Sequence, residues 1–534
     1  MRLVLALALL VGAACRTPDA TPAPGPAGAP DGAAPQVAAP SQAAPKGSGA
    51  LHLLFTTDEH GWLAPLVDAD TRKQRGGVVP LYDQLQRVEG YGTEAARRAQ
   101  GYLLLSCGDM WTGPYETTLL EGAPMVAAMG HMGYAAASVG NHDFDFGVRI
   151  LSEHSSKAPF PLLAANLVES ATGEAPRWVK PFTVLEAGGL KVGVVGLTNV
   201  DSPVTSDPRH LTGLTFLPYA EALEHWIPRV RAAGADEVVV LVHEVLGAAD
   251  SLMPTLRKHR VRAAAFGHHH QAGSRIDDGG TADLEDDVTV CNAGAYMRSY
   301  CRIDLRFDAG KLTERAVKVT PVELAAGATP AKPDPILVDI VKSAEHNAQK
   351  VGGEVLVESK RVLQRGPAGA LGQLVVDAWL KALPYTQVAI TNAGGLRQDL
   401  AAGPVRVRDV VSVLPFNNYL LVVELSGAEL RQVLANEESI AAGVRYAFSD
   451  GAKGRRITSL AFSDGRLVAD DARLKVVIND FMYRGGDRYP FAALDAEPEE
   501  TAIDWREPVL RHLRELGRQG KVLELSPDDR ARKR

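Results

Sequence analysis

At 534 residues the chain is too long for one hydrophobic core, and about 150 residues per domain, stretched for α/β architectures, allows two to three domains. Its 46% hydrophobic and 23% charged residues are ordinary for a globular protein. The formal net charge of -7 is spread diffusely and leaves no basic stripe for nucleic acid.

Met1-Arg2, the apolar run Leu3 to Val11 and the small residues Gly12-Ala13-Ala14 before Cys15 read as an export signal over residues 1–15. The run is too short to span a membrane. Small residues ahead of Cys15 resemble a bacterial lipoprotein signal, which implies a lipid anchor on that cysteine and a cell-envelope or periplasmic location. Gly12 stands where such signals carry leucine, so ordinary cleavage with full secretion is the alternative. Residues 16–49 are dominated by Ala, Pro and Gly, a composition that buries too little apolar surface to order itself and suits a disordered tether.

From Ala50 the pattern is strand, loop, helix, repeated. Leu51 to Thr56 is a strand ending in Asp58 and His60, and Gly77 to Val88 is the following helix. Tyr102 to Ser106 is a strand ending in Cys107-Gly108-Asp109, Ala123 to Met132 is helical, and Ala135 to Val139 is a buried strand running into Gly140-Asn141-His142-Asp143-Phe144-Asp145. Lys191 to Leu197 and Glu237 to Val242 are valine-rich strands, the second ending at His243-Glu244, and Ala263 to Phe266 leads to Gly267-His268-His269-His270. This alternation predicts an α/β sandwich over residues 50–325, sheets inside and helices outside.

Five strands thus end in loops carrying Asp58 and His60, Asp109, Asn141 and His142, His243, and His268 with His270. Each alone is as well explained by a hydrogen-bonded turn, and 140–145 by a capped helix start. Together they are the mixed nitrogen and oxygen donors that suit two borderline divalent ions such as Zn, Mn or Co. His142 can meet a phosphate if Asp145, three residues on, holds its other ring nitrogen.

Residues 326–353 loosen into Ala, Pro and Gly and then form a polar linker helix, Ile336 to Gln349. A smaller α/β pattern fills 354–534: the amphipathic helix Leu371 to Leu383, the strand Gln387 to Thr391 before Asn392-Ala393-Gly394-Gly395-Leu396-Arg397, the strand Tyr419 to Leu425 after Pro415-Phe416-Asn417-Asn418, and Val476 to Asn479 before Phe481 and Gly485-Gly486-Asp487. With Cys15 in the signal and Cys107 in a candidate metal loop, Cys291 and Cys301 are the one sensible disulfide pair, two buried thiols being the alternative.

Asp58-x-His60-Gly61, Gly108-Asp109, Gly140 to Asp145, His243 and Gly267-His268-x-His270 resemble the metallophosphatase half of the 5′-nucleotidase / UDP-sugar hydrolase family. Asn392-x-Gly394-Gly395-x-Arg397, Pro415-Phe416-x-Asn418, Asn479-x-Phe481 and Gly485-Gly486-Asp487 resemble its nucleotide-binding C-terminal domain. The resemblance runs from about Leu51 to Leu516 with the motifs in order. It implies a four-layer metallophosphatase sandwich joined by the linker helix to a nucleotide-binding domain. It further implies that Asp58, His60 and His270 bind one metal, that Asp109 bridges, and that Asn141, His243 and His268 complete the second. His142 and Asp145 form the catalytic dyad on this reading. Arg397 meets the nucleotide's charged or ribose end, Phe416 and Phe481 sandwich the base, Asn418 and Asp487 bond base and ribose, and Arg361 and Arg365 bind phosphate or carboxylate. Cys107, Glu244, Gln373 and Arg488 depart from the family pattern: Cys107 puts redox sensitivity or metal preference in play, Glu244 adds negative charge, and Arg488 can recognise an extra phosphate or block a bulky substrate.

The implied activity is hydrolysis of nucleoside 5′-phosphates by a hydroxide shared between two divalent ions. UDP-sugar hydrolysis, 2′,3′-cyclic nucleotide phosphodiesterase activity, the related thiosulfohydrolase activity of sulfur oxidation, and a non-catalytic surface-binding lipoprotein are the competing readings. The aromatic pair argues for a substrate with a base.

Overall fold

The computed structural model describes residues 47–67, 73–325, 327–451, 454–527 and 529–533. The expected signal lies outside the described residues, as does the expected tether up to residue 46. Among the described residues no helix is long and apolar enough to cross a membrane.

The first strand, Gly49–Thr56, sends Leu51, Leu53 and Phe55 to one face and Leu54 to the other, as a period of two requires. It sits within a six-stranded sheet ordered Lys311–Pro321, Ser299–Asp308, Gly49–Thr56, Tyr102–Ser106, Ala136–Ser138, Leu162–Leu163, whose last four strands run parallel. A second six-stranded sheet is ordered Gly273–Asp277, Val288–Asn292, Ala263–Phe266, Glu237–Val242, Leu190–Leu197, Phe182–Ala187, its middle four strands parallel.

The sheets meet through Leu51, Leu53, Phe55, Leu103 and Leu105 against Val192, Val194, Val239 and Leu241. Full burial of each such side chain is worth about 1.5–3 kcal/mol. On the outside of the first sheet, Leu54, Leu104 and Ala137 pack under the helices Val78–Val88 and Ala123–Met132. Outside the second, Val195, Val238, Val240 and Val242 pack under Tyr219–Ala232 and Ala249–Lys258. This is the α/β sandwich the sequence pattern predicts, in the four layers the family resemblance implies.

The linker helix spans Pro335–Gly352, Asp334 capping it by accepting from the amides of Ile336 and Leu337. Its Leu337 and Ala344 are buried in the core of the first half. The C-terminal half folds around a five-stranded mixed sheet ordered Ser439–Ala442, Val388–Asn392, Arg473–Asn479, Tyr419–Ser426, Glu499–Asp504. Helices Ala370–Ala382 and Glu507–Arg518 cover one face, and Gly427–Leu434 the other.

The disulfide expectation is corrected to its alternative: Cys291 and Cys301 are free and buried, as is Cys107. The strands carrying Cys291 and Cys301 follow one another in the chain but belong to different sheets, and all three thiols lie in the core between them.

Candidate active site

In parallel sheets the loops after the strands' C-terminal ends gather at one edge, and there the polar residues converge. Asp58 and His60 follow the first strand, Asp109 the Tyr102–Ser106 strand, and Asn141 with His142 the Ala136–Ser138 strand. The second sheet delivers His243, His268 and His270. Asp58, His60, Asp109, His268 and His270 all have left-handed φ angles, between 45° and 70°. Non-glycine residues hold such conformations only when their surroundings over-determine them, and they concentrate at functional sites.

Ligand-type atoms of Asp58, His60 and His270 lie within 4.8 Å of one another, and so do those of Asp109, His243 and His268. The Nδ1 atoms of His60 and His243 donate to the carbonyls of Thr112 and Cys107, at 2.9 and 2.8 Å. In the neutral ring each Nε2 is then a lone pair facing the centre, and in the charged ring it carries the second proton. His60 Nε2 stands 3.1 Å from His270 Nε2. His243 Nε2 stands 3.1 Å from Asp109 Oδ2 and 3.2 Å from Asn141 Oδ1. Asp109 Oδ2 is buried with no hydrogen-bond donor. Acceptors converging in a dry site repel unless a proton or a cation stands between them. Burial alone would lower His243, yet the Asp109 carboxylate pushes it up to about 10. Burial alone would raise Asp109, but the imidazoles of His243, His142 and His60 hold it well below the usual carboxylate range. Burial, reinforced by His243, takes His268 down to about 3. These residues fit divalent cations in two adjacent positions.

Asp143 ties the loops together. Its carboxylate accepts from the backbone amides of Asp109, Met110 and Gly140, at 3.0, 2.7 and 2.8 Å. Gly140 is obligatory, because a Cβ there would stand 2.2 Å from Asp109 Oδ1. That same Oδ1 accepts from the His142 amide at 2.7 Å. His142 Nδ1 lies 3.0 Å from Asp145 Oδ2, the contact the expected His–Asp pair requires. Asn141 opens the short 3-10 turn His142–Phe144 with Asp143 in its first turn, as the helix-start reading has it, but the Asn141 side chain makes no capping bond.

A cleft of about 540 Å³ lies between the halves. Asp109, Asn141, His142, Asp145, His268 and His270 line one wall. Asn392, Gly394, Gly395, Arg397, Phe416, Asn418, Phe481 and Asp487 line the other. Asn392 links Asp487 to Asn479, donating to the first at 2.7 Å and accepting from the second at 3.0 Å. Phe416 stacks on His142 with centroids 5.5 Å apart and planes 16° apart. Arg397 Nη2 reaches within 3.1 Å of His60 Nε2. Arg361 is not brought to the cleft: it is exposed and turns to Ser526 and Glu524. Arg365 lies behind the wall, donating to the carbonyls of Leu396 and Arg397 and so bracing the Arg397 loop.

Three of the departures from the family pattern have partners in the structure. The Cys107 side chain is buried in the inter-sheet core and its thiol is pushed well up by burial, while its carbonyl holds His243. Glu244 turns away from the metal groups and accepts from Asn199 and Tyr219, at 3.1 and 3.0 Å. Arg488 pairs with Asp201 across the cleft at 2.5 Å. Sequence reasoning missed Asp143 as a loop tie and Tyr296, whose hydroxyl lies 3.2 Å from His270 Nδ1.

Two adjoining clusters of imidazole and carboxylate at the strand ends of a four-layer sandwich, with a His–Asp pair beside them, define a metal-dependent phosphoesterase. Residues 51–272 match the calcineurin-like phosphoesterase family, and residues 351–494 match the 5′-nucleotidase C-terminal domain. The chain is 24% identical over 492 residues to a 5′-nucleotidase of Vibrio cholerae, spanning 82% of this chain and 86% of that one. It is 25% identical over 496 residues to protein UshA of Escherichia coli, spanning 84% and 87%. The solved structure of a 5′-nucleotidase precursor from Thermus thermophilus superposes with a TM-score of 0.77 at 25% identity, covering 91% of this chain and 99% of the other. The chain thus joins a calcineurin-like phosphoesterase domain to a 5′-nucleotidase C-terminal domain, and its likeness to these relatives spans both.

Proposed function

We propose that the protein hydrolyses nucleoside 5′-phosphates to nucleoside and phosphate. The observation that carries this is the single cleft in which metal-ligand side chains and a His–Asp dyad face an aromatic and amide-rich wall. Asp58, His60 and His270 would hold one divalent ion, and Asn141, His243 and His268 the other, with Asp109 between them. Zn, Mn and Co suit this donor set. When bound, such ions supply Lewis-acid charge for the phosphoryl oxygens and an activated water.

The chain's own residues supply the rest. Asp145 fixes His142 with a proton on Nδ1 in the neutral ring, and protonation of the free Nε2 lets His142 donate to a phosphoryl or departing oxygen as charge develops there. Arg397, on a loop braced by Arg365, adds a guanidinium at the junction of the two walls. Phe416 and Phe481 offer faces to a base, an interaction worth about 1–3 kcal/mol per base and tolerant of which base it is. Asn418 and Asp487 supply an amide and a carboxylate for base and ribose. Phe416 stacks on His142, so base binding on this reading draws Phe416 away from that ring.

Export and anchoring through Cys15 are part of the same proposal, supported by the sequence of residues 1–15. The test is phosphate release from AMP, ATP, UDP-glucose, NAD and 2′,3′-cyclic AMP by purified protein reloaded with Mn, Co or Zn. AMP is expected to yield adenosine and phosphate. Cleavage of UDP-glucose or the cyclic nucleotide with AMP untouched would overturn the assignment.

A further inference from the structure

The cluster Asp58, His60 and His270 has a neighbour that touches all three. Tyr296 lies in the turn between the strands Val288–Asn292 and Ser299–Asp308 and is buried. Its amide donates to the Asp58 carbonyl at 2.8 Å. Its ring lies 5.8 Å from that of His60 and 5.2 Å from that of His270. Its hydroxyl lies 3.2 Å from His270 Nδ1.

This placement is held against a backbone preference. Tyr296 and Met297 are consecutive non-glycine residues in the left-handed region, with φ of 61° and 55°. Such a pair persists only where contacts impose it. Here they are the bond to Asp58, the ring of Trp62 at 5.3 Å, the guanidinium of Arg298 at 5.0 Å from the ring centroid, and a close approach by Gly76, where a Cβ would stand 2.4 Å from the Tyr296 carbonyl oxygen.

His60 and His243 have their outer nitrogens fixed by backbone carbonyls, which no substitution removes. His270 has a side-chain partner instead, and it is also the most exposed member of its cluster. For Nε2 of His270 to offer a lone pair, Nδ1 must carry the proton and the Tyr296 oxygen must accept it.

We propose that Tyr296 is a positioning residue that fixes the tautomer and orientation of His270, and so sets the affinity of the ion held by Asp58, His60 and His270 independently of its neighbour. The inference rests on the two-ion reading given above. The test is equilibrium dialysis of metal-free wild-type and Tyr296→Phe protein against graded free Co²⁺, with bound metal counted per chain and the visible Co²⁺ spectrum recorded. Phenylalanine keeps the tilted and edge-on ring contacts and removes only the hydroxyl. The expected result is one binding step weakened by about 10- to 100-fold, the range for loss of an outer partner of a ligating histidine. The second step and the melting temperature of the metal-free protein should not move. Equal affinities for both ions in the two proteins would overturn the inference. So would parallel weakening of both steps, or a lower metal-free melting temperature, since either is what a merely structural role produces. Wild-type protein that takes up no ion would instead overturn the two-ion reading itself, and this inference with it.

Discussion

The two walls of the cleft are built on different principles. On the metal wall Asp58, Asp109 and His243 are fully buried, and their partners are largely backbone amides and carbonyls. On the facing wall Phe416, Phe481, Arg397 and Asp487 are only partly buried, and they meet other side chains that can rearrange. The first arrangement fixes donor atoms before any ligand arrives, which transition-state chemistry demands. The second leaves faces and hydrogen-bonding groups that adapt to what is bound. The difference teaches that substitutions on the metal wall should remove the reaction, whereas those on the facing wall should change which substrate is held and how tightly.

The most severe way to break the comparison is to take away what the metal wall is built for. Exhaustive dialysis against EDTA should abolish turnover of every substrate, and added Mn, Co or Zn should restore it. Metal content measured alongside activity checks this, and full activity in protein shown to be metal-free would end the two-ion reading.

His142 stands on the metal wall without belonging to either ligand cluster. Its replacement by alanine should lower kcat by about 10²- to 10⁴-fold while both ions remain bound, as expected of an acid–base group. If metal content falls in step with activity, His142 is a ligand and the division of labour with Asn141 is wrong.

The metal wall was legible in the sequence because five strand ends together carry imidazole, amide and carboxylate groups and its strands are plain apolar runs. Tyr102–Ser106, Glu237–Val242 and Ala263–Phe266 stand where the apolar pattern puts them. The partners that orient the imidazoles were not legible, since the carbonyls of Thr112 and Cys107 belong to backbone that any residue supplies. Asp143 looked like a helix-start carboxylate, and its role appears only when the chain brings Asp109 and Met110 back against it. Cys291 and Cys301 show the limit of spacing: their thiols meet between the two sheets, yet nothing in ten residues of sequence says whether they are bonded or free. On the facing wall the glycine-rich and aromatic motifs led to the cleft. Arg361 and Arg365 had no local motif, and one points to solvent-side partners while the other braces a loop.

Phe481 sharpens the comparison from the other side. Stacking on a base is present in ground and transition states alike, so its loss raises KM and leaves kcat nearly unchanged. Phe481→Ala should lower kcat/KM for AMP by about 5- to 150-fold, from about 1–3 kcal/mol of stacking. Hydrolysis of p-nitrophenyl phosphate, which has no nucleobase, should change much less. Equal losses on both substrates in a protein with a lowered melting temperature would make the ring a core residue only.

The smallest effect is expected where the two walls touch at the surface. Arg488 Nη2 reaches Asp201 across the cleft, and Asp201 is itself positioned by its amide donating to Asn199 Oδ1 at 2.7 Å. Asn199 in turn donates to Glu244, which follows His243, so a chain of polar contacts runs from the metal wall to the opposite half. The Arg488 and Asp201 side chains are nevertheless 72% and 52% exposed. Exposed ion pairs are worth about 0–1 kcal/mol, and salt screens them. Arg488→Ala should therefore change KM for AMP by less than about fivefold, the ratio that 1 kcal/mol sets. High salt should reduce the difference from wild type, and kcat should hold. Comparing AMP with ADP and ATP decides what else this guanidinium does. If it only joins the halves, all three substrates shift together; if it exchanges Asp201 for a second phosphate, the loss falls on ADP and ATP and spares AMP.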